Sequence, residues 1–253
     1  MSIKHIHGFS LIEVAIVLVI MSMLIGFLVI PLSKQTDNRD IADANKQLQE
    51  IKEAIIGFAM ANGRLPCPAQ LNSNGLESPV GGGNCTNAGR GFVPAATLGL
   101  SGRFSCEGLL LDPWNNIYRY SVTQTNAGGA VSADFTTAGD MSSVTMVALS
   151  PNLSVCNDTA CATTYTTGAV AVVFSMGKDW RTYTSNIQME NAGEGGTSAT
   201  SNCGNNTVYN LPNNNTYIYH EVSVQNNQEF DDQLIWIPST IIYSKMVTAG
   251  KLP

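Results

Sequence analysis

A single acidic side chain lies at the start of a long apolar stretch in this sequence of 253 residues. Glu13 precedes residues 14–33, VAIVLVIMSMLIGFLVIPLS, which carry no charge. A carboxylate inside an apolar helix costs about 2.5–3.5 kcal/mol on membrane-insertion scales, so such a residue is rarely kept without a partner. Glu13 is therefore a candidate for pairing with a cation. The alternative is a side chain that extends to the polar interface unaided.

Cysteines form a second group of residues with possible chemistry. The six are Cys67, Cys85, Cys106, Cys156, Cys161 and Cys203, all beyond the apolar stretch. No Cys-x-x-Cys is present and histidine is scarce, which disfavours a metal-thiolate cluster and favours disulfides formed in an oxidising compartment. Cys156 and Cys161 bracket a short loop, and Cys67 with Cys85 would tie the end of the first helix to a glycine-rich loop. Cys106 and Cys203 then pair by elimination.

Composition argues against several classes of function. The net charge is −6 and charged residues make up 13% of the chain, about half the usual share, so direct nucleic-acid binding through a basic surface is not expected. Beyond the first few residues the chain has one histidine, His220, and it has no phosphate loop, nucleophile elbow or dinucleotide fingerprint. We expect no catalytic residues, no organic cofactor and no enzymatic activity.

The elements that carry these residues can be predicted from hydrophobic periodicity. Twenty residues of helix rise about 30 Å, the thickness of a bilayer core, so 14–33 predict a membrane span. The alternatives are a helix buried in protein or a secretory signal peptide, but no small-residue cleavage site follows the run. Past it, apolar residues recur every three or four positions from Ile41 to Phe58, and Asn62-Gly63 provides a stop. One helix is predicted, transmembrane over 9–33 and amphipathic over 34–63.

The remainder, 64–253, is predicted to be a β-rich globular head. Enrichment in β-branched and aromatic residues predicts strands at 117–123, 143–149, 169–176 and 217–224, separated by long Gly/Asn/Ser/Thr loops. Pro238 begins a short helix that Gly250 ends. The expected fold class is α+β, with the long N-terminal helix packed through its apolar stripe on an antiparallel sheet.

The N-terminal residues GFSLIE at 8–13, followed by the apolar run, closely resemble the signal of type IV pilins and type II secretion pseudopilins. The resemblance implies that residues 1–8 are a leader, removed by prepilin peptidase between Gly8 and Phe9 at the cytoplasmic face. It also implies methylation of the new Phe9 amine and a pilin fold. The Phe9 amine would offset the Glu13 carboxylate within one chain, or Glu13 of one chain would meet the Phe9 amine of a neighbour and fix the axial register of a fibre.

This resemblance implies a structural subunit of a type IV pilus or a type II secretion pseudopilus, of a minor or specialised kind because the head is large. The protein would be anchored once in the bacterial inner membrane with its head in the periplasm, and then enter a fibre that can extend outside the cell. Expected partners are the prepilin peptidase and methyltransferase, other pilin or pseudopilin subunits, the inner-membrane assembly platform and the membrane itself.

Three segments of the head resemble the major pseudopilin of type II secretion. They are DPWNNIYRY at 112–120, SMGKD at 175–179 and DDQLIW at 231–236. Asn115, Ile117 and Trp180 depart from that family's pattern. The resemblance carries a possible calcium site over to Asp231 and Asp232, where adjacent carboxylates suit a hard cation. The alternative is that one of these carboxylates caps a local turn.

A second hypothesis assigns the head a binding role. Long polar loops, together with Tyr209, Tyr217 and Tyr219, which we predict to be exposed, would contact glycans or proteins. In that case the chain is a minor-pilin adhesin or a substrate receptor presented by a fibre.

Overall fold

A computed structural model of the chain describes residues 10–126, 133–179, 186–192, 197–200, 207–210, 215–223 and 229–252. For 26–34, 186, 192, 197–200 and 207–210 it describes the backbone alone. The fold class is α+β, as predicted, with an N-terminal helix and a curled mixed sheet. The chain divides into two compact units, one ending at Ala42 and the other beginning at Asp43.

The helices and strands follow one another in this order. The helices are α1 (Leu11–Asn62), α2 (Ala95–Leu98), α3 (Asp140–Ser143), α4 (Asn186–Ala192) and α5 (Ser239–Thr248). The strands are β1 (Gly91–Phe92), β2 (Arg103–Phe104), β3 (Leu110–Leu111), β4 (Arg119–Val122), β5 (Leu153–Cys156), β6 (Thr164–Ser175), β7 (Thr197–Thr200), β8 (Thr207–Asn210), β9 (Thr216–Ile218) and β10 (Gln233–Pro238).

The last part of α1 is the amphipathic helix predicted from the sequence. Its buried side chains are Ala44, Leu48, Ile51, Ile55, Ile56 and Ala59. All of them except Ala44 pack against β4, β6 and α5 in the larger of the two sheet-facing cores. The helix ends where Asn62 Nδ2 donates to the Phe58 carbonyl at 2.9 Å and Gly63 takes a φ of 71°. Only glycine adopts that conformation without strain, so Gly63 gives α1 a defined end.

The main sheet is organised around β6, the longest strand. β4 and β10 pair with its second half in antiparallel fashion, and β5 pairs with its first half. β9 pairs with β5 in parallel, with Val155 opposite Tyr217. The prediction of a purely antiparallel sheet is therefore wrong. Between β5 and β9 the chain runs back along β6 and then through α4 and the β7–β8 hairpin, so β9 has the direction of β5.

The prediction of a strand at 143–149 is also wrong. Residues Asp140–Ser143 form α3, and turns follow. Ser142 Oγ donates to the Gly139 carbonyl and Ser143 Oγ to the Asp140 carbonyl, both at 2.8 Å. Serine side chains that bind nearby carbonyls in this way favour turns over extended pairing. The strand predicted at 217–224 ends earlier, at Ile218, and residue 224 lies outside the described residues.

Both faces of β6 carry apolar side chains. One face packs on α1 and α5 through residues such as Val170 and Val173. The other face contributes Val172 and Phe174 to a second core with Leu153, Val155, Ala169, Met176, Tyr217 and Leu234. Tyr219 and Trp236 cover this second core and are only partly buried.

Candidate functional site

Two of the pseudopilin-like segments of the head meet around the buried carboxylate of Asp112. Its Oδ1 accepts the backbone N–H groups of Trp114 at 3.0 Å and Asn116 at 2.7 Å, and its Oδ2 accepts the Ser175 hydroxyl at 2.5 Å. Asn116 Nδ2 donates to the Gly177 carbonyl. These bonds join the loop before β4 to the turn after β6.

The third segment joins the same turn through Asp231. Its Oδ2 accepts the consecutive backbone N–H groups of Lys178 at 2.6 Å and Asp179 at 3.1 Å. Successive N–H groups of this kind form a concave anion-binding nest. Gly177 has a φ of 67°, and a Cβ there would lie 2.3 Å from the Asp231 carboxylate. Glycine is thus required both for the backbone conformation and for the close approach.

Amide side chains of α4 complete this acidic cluster. Gln188 Nε2 donates to Asp179 Oδ1 at 2.8 Å and to Asp231 Oδ1 at 2.9 Å. Asn191 Nδ2 donates to Asp232 Oδ2 at 2.8 Å. Both oxygens of Asp231 therefore already accept N–H donors.

The arrangement bears on the calcium prediction for Asp231 and Asp232. Within the ranges that the structure describes, no group of three or more His, Cys, Asp or Glu side chains is arranged to hold a metal ion. Trp180, next to the cluster in sequence, lies outside those ranges. The calcium site remains a prediction, and the contacts seen are those of a structural junction.

The buried carboxyl groups should make stability depend on pH. Burial raises the pKa of Asp112 to about 6 from its ordinary value of 3.8, although bonds from Ser175 and backbone N–H groups oppose the change. Burial and the neighbouring Asp179 also raise the pKa of Asp231. A raised pKa means that the folded state holds the proton more tightly, so this stabilisation is complete below the unfolded pKa and is lost as pH rises through the folded one.

Between about pH 4 and pH 7, the Asp112→Asn variant should lose about 2 kcal/mol less unfolding free energy than the wild type does. Asparagine does not titrate, and its Oδ1 can still accept the Trp114 and Asn116 N–H groups. Urea denaturation at a series of pH values measures the effect. Parallel curves for the wild type and the variant would refute this origin of the pH dependence.

The cysteines of the head form disulfides. The bonds Cys67–Cys85 and Cys156–Cys161 are present, as predicted from the sequence. Cys106 is also disulfide-bonded, and Cys203, its predicted partner, lies outside the described residues.

A buried ion pair, which the sequence analysis missed, lies beside the Cys67–Cys85 bond. Arg64 Nη1 and Nη2 donate to the two carboxylate oxygens of Glu77 at 2.7 and 2.6 Å. Glu77 also accepts the backbone N–H groups of Cys67 and Gly81. Burial by itself would raise the pKa of Glu77, but Arg64 and these N–H groups outweigh it and lower that pKa. No short-range motif links positions 64 and 77, so the sequence carried no signal for the pair.

The side chains proposed for a binding role fall into different environments. Tyr217 is fully buried beneath the Arg90 guanidinium, whose Cζ lies 4.9 Å from the ring centre, so the prediction of an exposed Tyr217 is wrong. Tyr219 is partly exposed, and the side chain of Tyr209 lies outside the described part. His220 packs edge-on against Phe230 and hydrogen-bonds the Glu221 carbonyl, a structural environment.

At the other end of the chain, Glu13 is bound to the start of its own helix. The Ser10 backbone N–H and hydroxyl donate to Glu13 Oε2 at 2.8 and 2.9 Å, and the Glu13 N–H donates to Ser10 Oγ at 3.3 Å. This reciprocal arrangement is a capping box with Ser10 as the N-cap of α1. The Ser-x-x-Glu spacing of residues 10–13 was the signal for it, and Ser10 is the functional candidate that the sequence analysis missed.

The apolar residues that follow are exposed around the whole helix. They are Leu11, Ile12, Val14, Ile16, Val17, Leu18, Val19, Ile20, Met21, Met23, Leu24 and Ile25. A helix that is apolar on all sides requires an apolar environment, either lipid or other helices. In the described part of the chain, no helix meets both the length and the hydropathy required of a membrane span.

Comparison with protein families bears on this segment. Residues 3–29 match the family model of the prokaryotic N-terminal methylation motif. The segment is a type IV pilin-like prepilin signal. The resemblance drawn from residues 8–13 is thereby confirmed. No curated protein and no solved structure matches the chain.

Four residues of the prepilin signal have a predicted or observed role, and the structure describes two of them. Gly8 and Phe9, the predicted cleavage and methylation positions, are not among the described residues. Ser10 and Glu13 are, and they form the capping box at the point where the processed chain would begin. The prepilin signal therefore combines a processing sequence with a helix start in which the assembly candidate Glu13 already has hydrogen-bond partners.

Proposed function

We propose that the protein is a structural subunit, minor or specialised, of a type IV pilus or a type II secretion pseudopilus. The observation that carries the proposal is the match of residues 3–29 to the methylation motif, on a helix whose apolar side chains are exposed on every side. A soluble enzyme has no use for such a helix, and the proposal includes no catalytic residues.

In this proposal the apolar helix is used twice. It first anchors the precursor in the inner membrane, with the head, which folds as a pilin-like α+β unit, in the periplasm. It then leaves lipid for the centre of a fibre, where it packs on the same helix of other subunits. The exchange replaces lipid contacts with protein contacts, so hydrophobicity alone gives little driving force and the assembly platform has to supply the work. The disulfides suit a head exported to an oxidising compartment.

The test is the identity of the mature N-terminus. We expect intact-mass and N-terminal analysis of the protein purified from its native cells to show a chain beginning at N-methylated Phe9, because prepilin peptidase removes residues 1–8. Gly8→Leu should block this cleavage and leave the full leader attached. A native chain that begins at Met1 and carries no methyl group would refute the proposal. Gly57→Leu, a glycine in α1 with open space around its Cα, is the matched control and should be processed normally.

A second function is favoured by one observation on the head. Tyr165, Tyr219 and Trp236 form a partly exposed aromatic cluster over the second core. We propose that the subunit also presents this surface as a receptor when it is part of a fibre.

A further inference from the structure

Three aromatic rings gather on the face of the main sheet opposite α1, and we call them the aromatic platform: Tyr165, Tyr219 and Trp236. Tyr219 meets Tyr165 edge-on at 5.4 Å between ring centres and Trp236 edge-on at 5.6 Å. Tyr165 and Trp236 lie 6.2 Å apart with only 33° between their planes. One ring therefore supports two others whose faces point in similar directions.

Packing alone does not account for the position of Tyr165. Its side chain remains 47% exposed, although it belongs to the longest strand of the fold and residues from Ala169 onward on that strand are buried. Its hydroxyl reaches Asn157 Oδ1 at 3.3 Å, so the ring is held at its polar end while its apolar body meets solvent. An amphipathic ring with one end fixed is a common recognition element, because little conformational entropy is lost on binding.

The segments that carry Tyr165 and Trp236 offer hydroxyl and amide groups and no charge, and the charged residues nearest the platform in sequence, Asp158 and Glu221, are both acidic. Residues 159–177, which contain Tyr165, and 233–244, which contain Trp236, include no Asp, Glu, Lys or Arg. Thr164 and Thr167 flank Tyr165 as exposed hydroxyls. A ligand recognised by charge, such as a phosphate or an acidic polymer, would find no counter-ion in these segments.

The size of the platform also limits its partner. Three partly exposed rings offer about 200–300 Å² of aromatic surface, since a whole aromatic side chain has about 150–250 Å². A stable protein interface needs about 800 Å² on each side. A small neutral ligand fits this area better than a protein does.

We propose that the aromatic platform binds a neutral carbohydrate, with pyranose rings stacked on Tyr165 and Trp236. The C–H groups on one face of a sugar ring are slightly positive and pack on the electron-rich face of an aromatic ring, while its hydroxyls bind the surrounding threonine and amide groups. The inference rests on the receptor function proposed above and names its ligand class. Tyr219 is a positioning residue, because it holds the other two rings edge-on.

Calorimetric titration of the full mature chain tests this, in a detergent without a sugar headgroup. The probes are cellohexaose, chitohexaose and maltohexaose, with an alginate hexamer as the acidic comparison. We expect at least one neutral hexasaccharide to bind, Tyr165→Ala to weaken it about tenfold, and Tyr165→Phe to retain most of the affinity. Phe104→Ala is the matched control, since Phe104 is 45% exposed on the separate β2–β3 hairpin and should bind like the wild type.

Absence of binding by all three neutral probes at millimolar concentration, binding of alginate alone, or unchanged affinity in Tyr165→Ala would each overturn the carbohydrate site. Trp236→Ala also tests the site, but only if the variant unfolds at the same temperature as the wild type, because Trp236 packs on the second core. Tyr165 is exposed, so its replacement should not destabilise the head. Fibre incorporation of Tyr165→Ala is measured in parallel. A wild-type chain that enters fibres but binds none of the neutral probes refutes the carbohydrate site alone, and a wild-type chain that binds sugar but never enters fibres refutes the subunit role alone.

Discussion

Replacing Glu13 with alanine is expected to leave the protein in the membrane and to remove it from fibres. Alanine makes the apolar segment less costly to insert, so anchoring is preserved. In a fibre, the Phe9 amine of a neighbouring chain would lose its carboxylate partner in an apolar environment. Removing one member of a buried ion pair costs about 3–5 kcal/mol, which corresponds to more than about a hundredfold in subunit docking. Immunoblots of membranes and of sheared fibres measure both quantities.

The capping box allows the charge of Glu13 to be separated from its role in starting α1. Glu13→Gln keeps the capping geometry, because glutamine also functions at this position, but it removes the charge. Ser10→Ala keeps the charge and removes the cap, at a cost of about 1 kcal/mol to the helix start. We expect Glu13→Gln to fail in fibre incorporation as Glu13→Ala does, and Ser10→Ala to succeed. The opposite pattern would mean that Glu13 acts by capping its helix and not by pairing with a neighbour.

Replacing Glu77 with alanine is expected to destabilise the head by about 3–5 kcal/mol, the largest stability effect that we predict. The change would leave the buried guanidinium of Arg64 without its carboxylate and would leave the backbone N–H groups of Cys67 and Gly81 without an acceptor. Chemical denaturation followed by tryptophan fluorescence measures the free energy of unfolding.

The matched control is the solvent-exposed pair Lys46–Glu50, 3.8 Å apart on α1. Glu50→Ala should cost no more than about 0.5 kcal/mol. The double variant Arg64→Met/Glu77→Leu should be more stable than Glu77→Ala, because it leaves no unpaired buried charge. Equal losses in Glu77→Ala and Glu50→Ala would show that the buried pair does not stabilise the loop.

The Glu77 carboxylate also makes stability depend on pH. Because its pKa is lowered, its stabilisation of the fold is present above the ordinary pKa of 4.5 and is lost as pH falls. The pH dependence is therefore opposite in sign to that of Asp112.

Local patterns were sufficient to predict several elements. The three-and-four spacing of apolar residues predicted the buried stripe of α1, and the β-branched run at 169–176 predicted the second half of β6. Pro238 and Gly250 marked the limits of α5. In each case neighbouring residues determine the structure, through periodicity or through the restricted backbone of proline and the permissive backbone of glycine.

Long-range features were not predictable in the same way. The parallel pairing of β5 with β9 joins residues about 60 positions apart, and no local pattern encodes a partner at that distance. The same holds for the Arg64–Glu77 pair and for the nest of N–H groups around Asp231. Each forms only where loops that are separate in sequence come together in the fold. The segments 112–120, 175–179 and 231–236, compared with a pseudopilin on sequence, are joined by hydrogen bonds in the structure. The resemblance did not show that the carboxylates of Asp112 and Asp231 accept hydrogen bonds from N–H and hydroxyl groups of the neighbouring loops.

The short edge strands of the main sheet have a consequence for the proposed packing of heads along a fibre. In the described part of the chain β1 has two residues and β9 has three, and the longer β10 ends at a proline. Such edge strands offer few free backbone N–H and C=O groups to a second molecule, so strand addition between neighbouring heads is disfavoured. If the proposed subunit role holds, contacts between heads in a filament would then involve side-chain surfaces that can separate again.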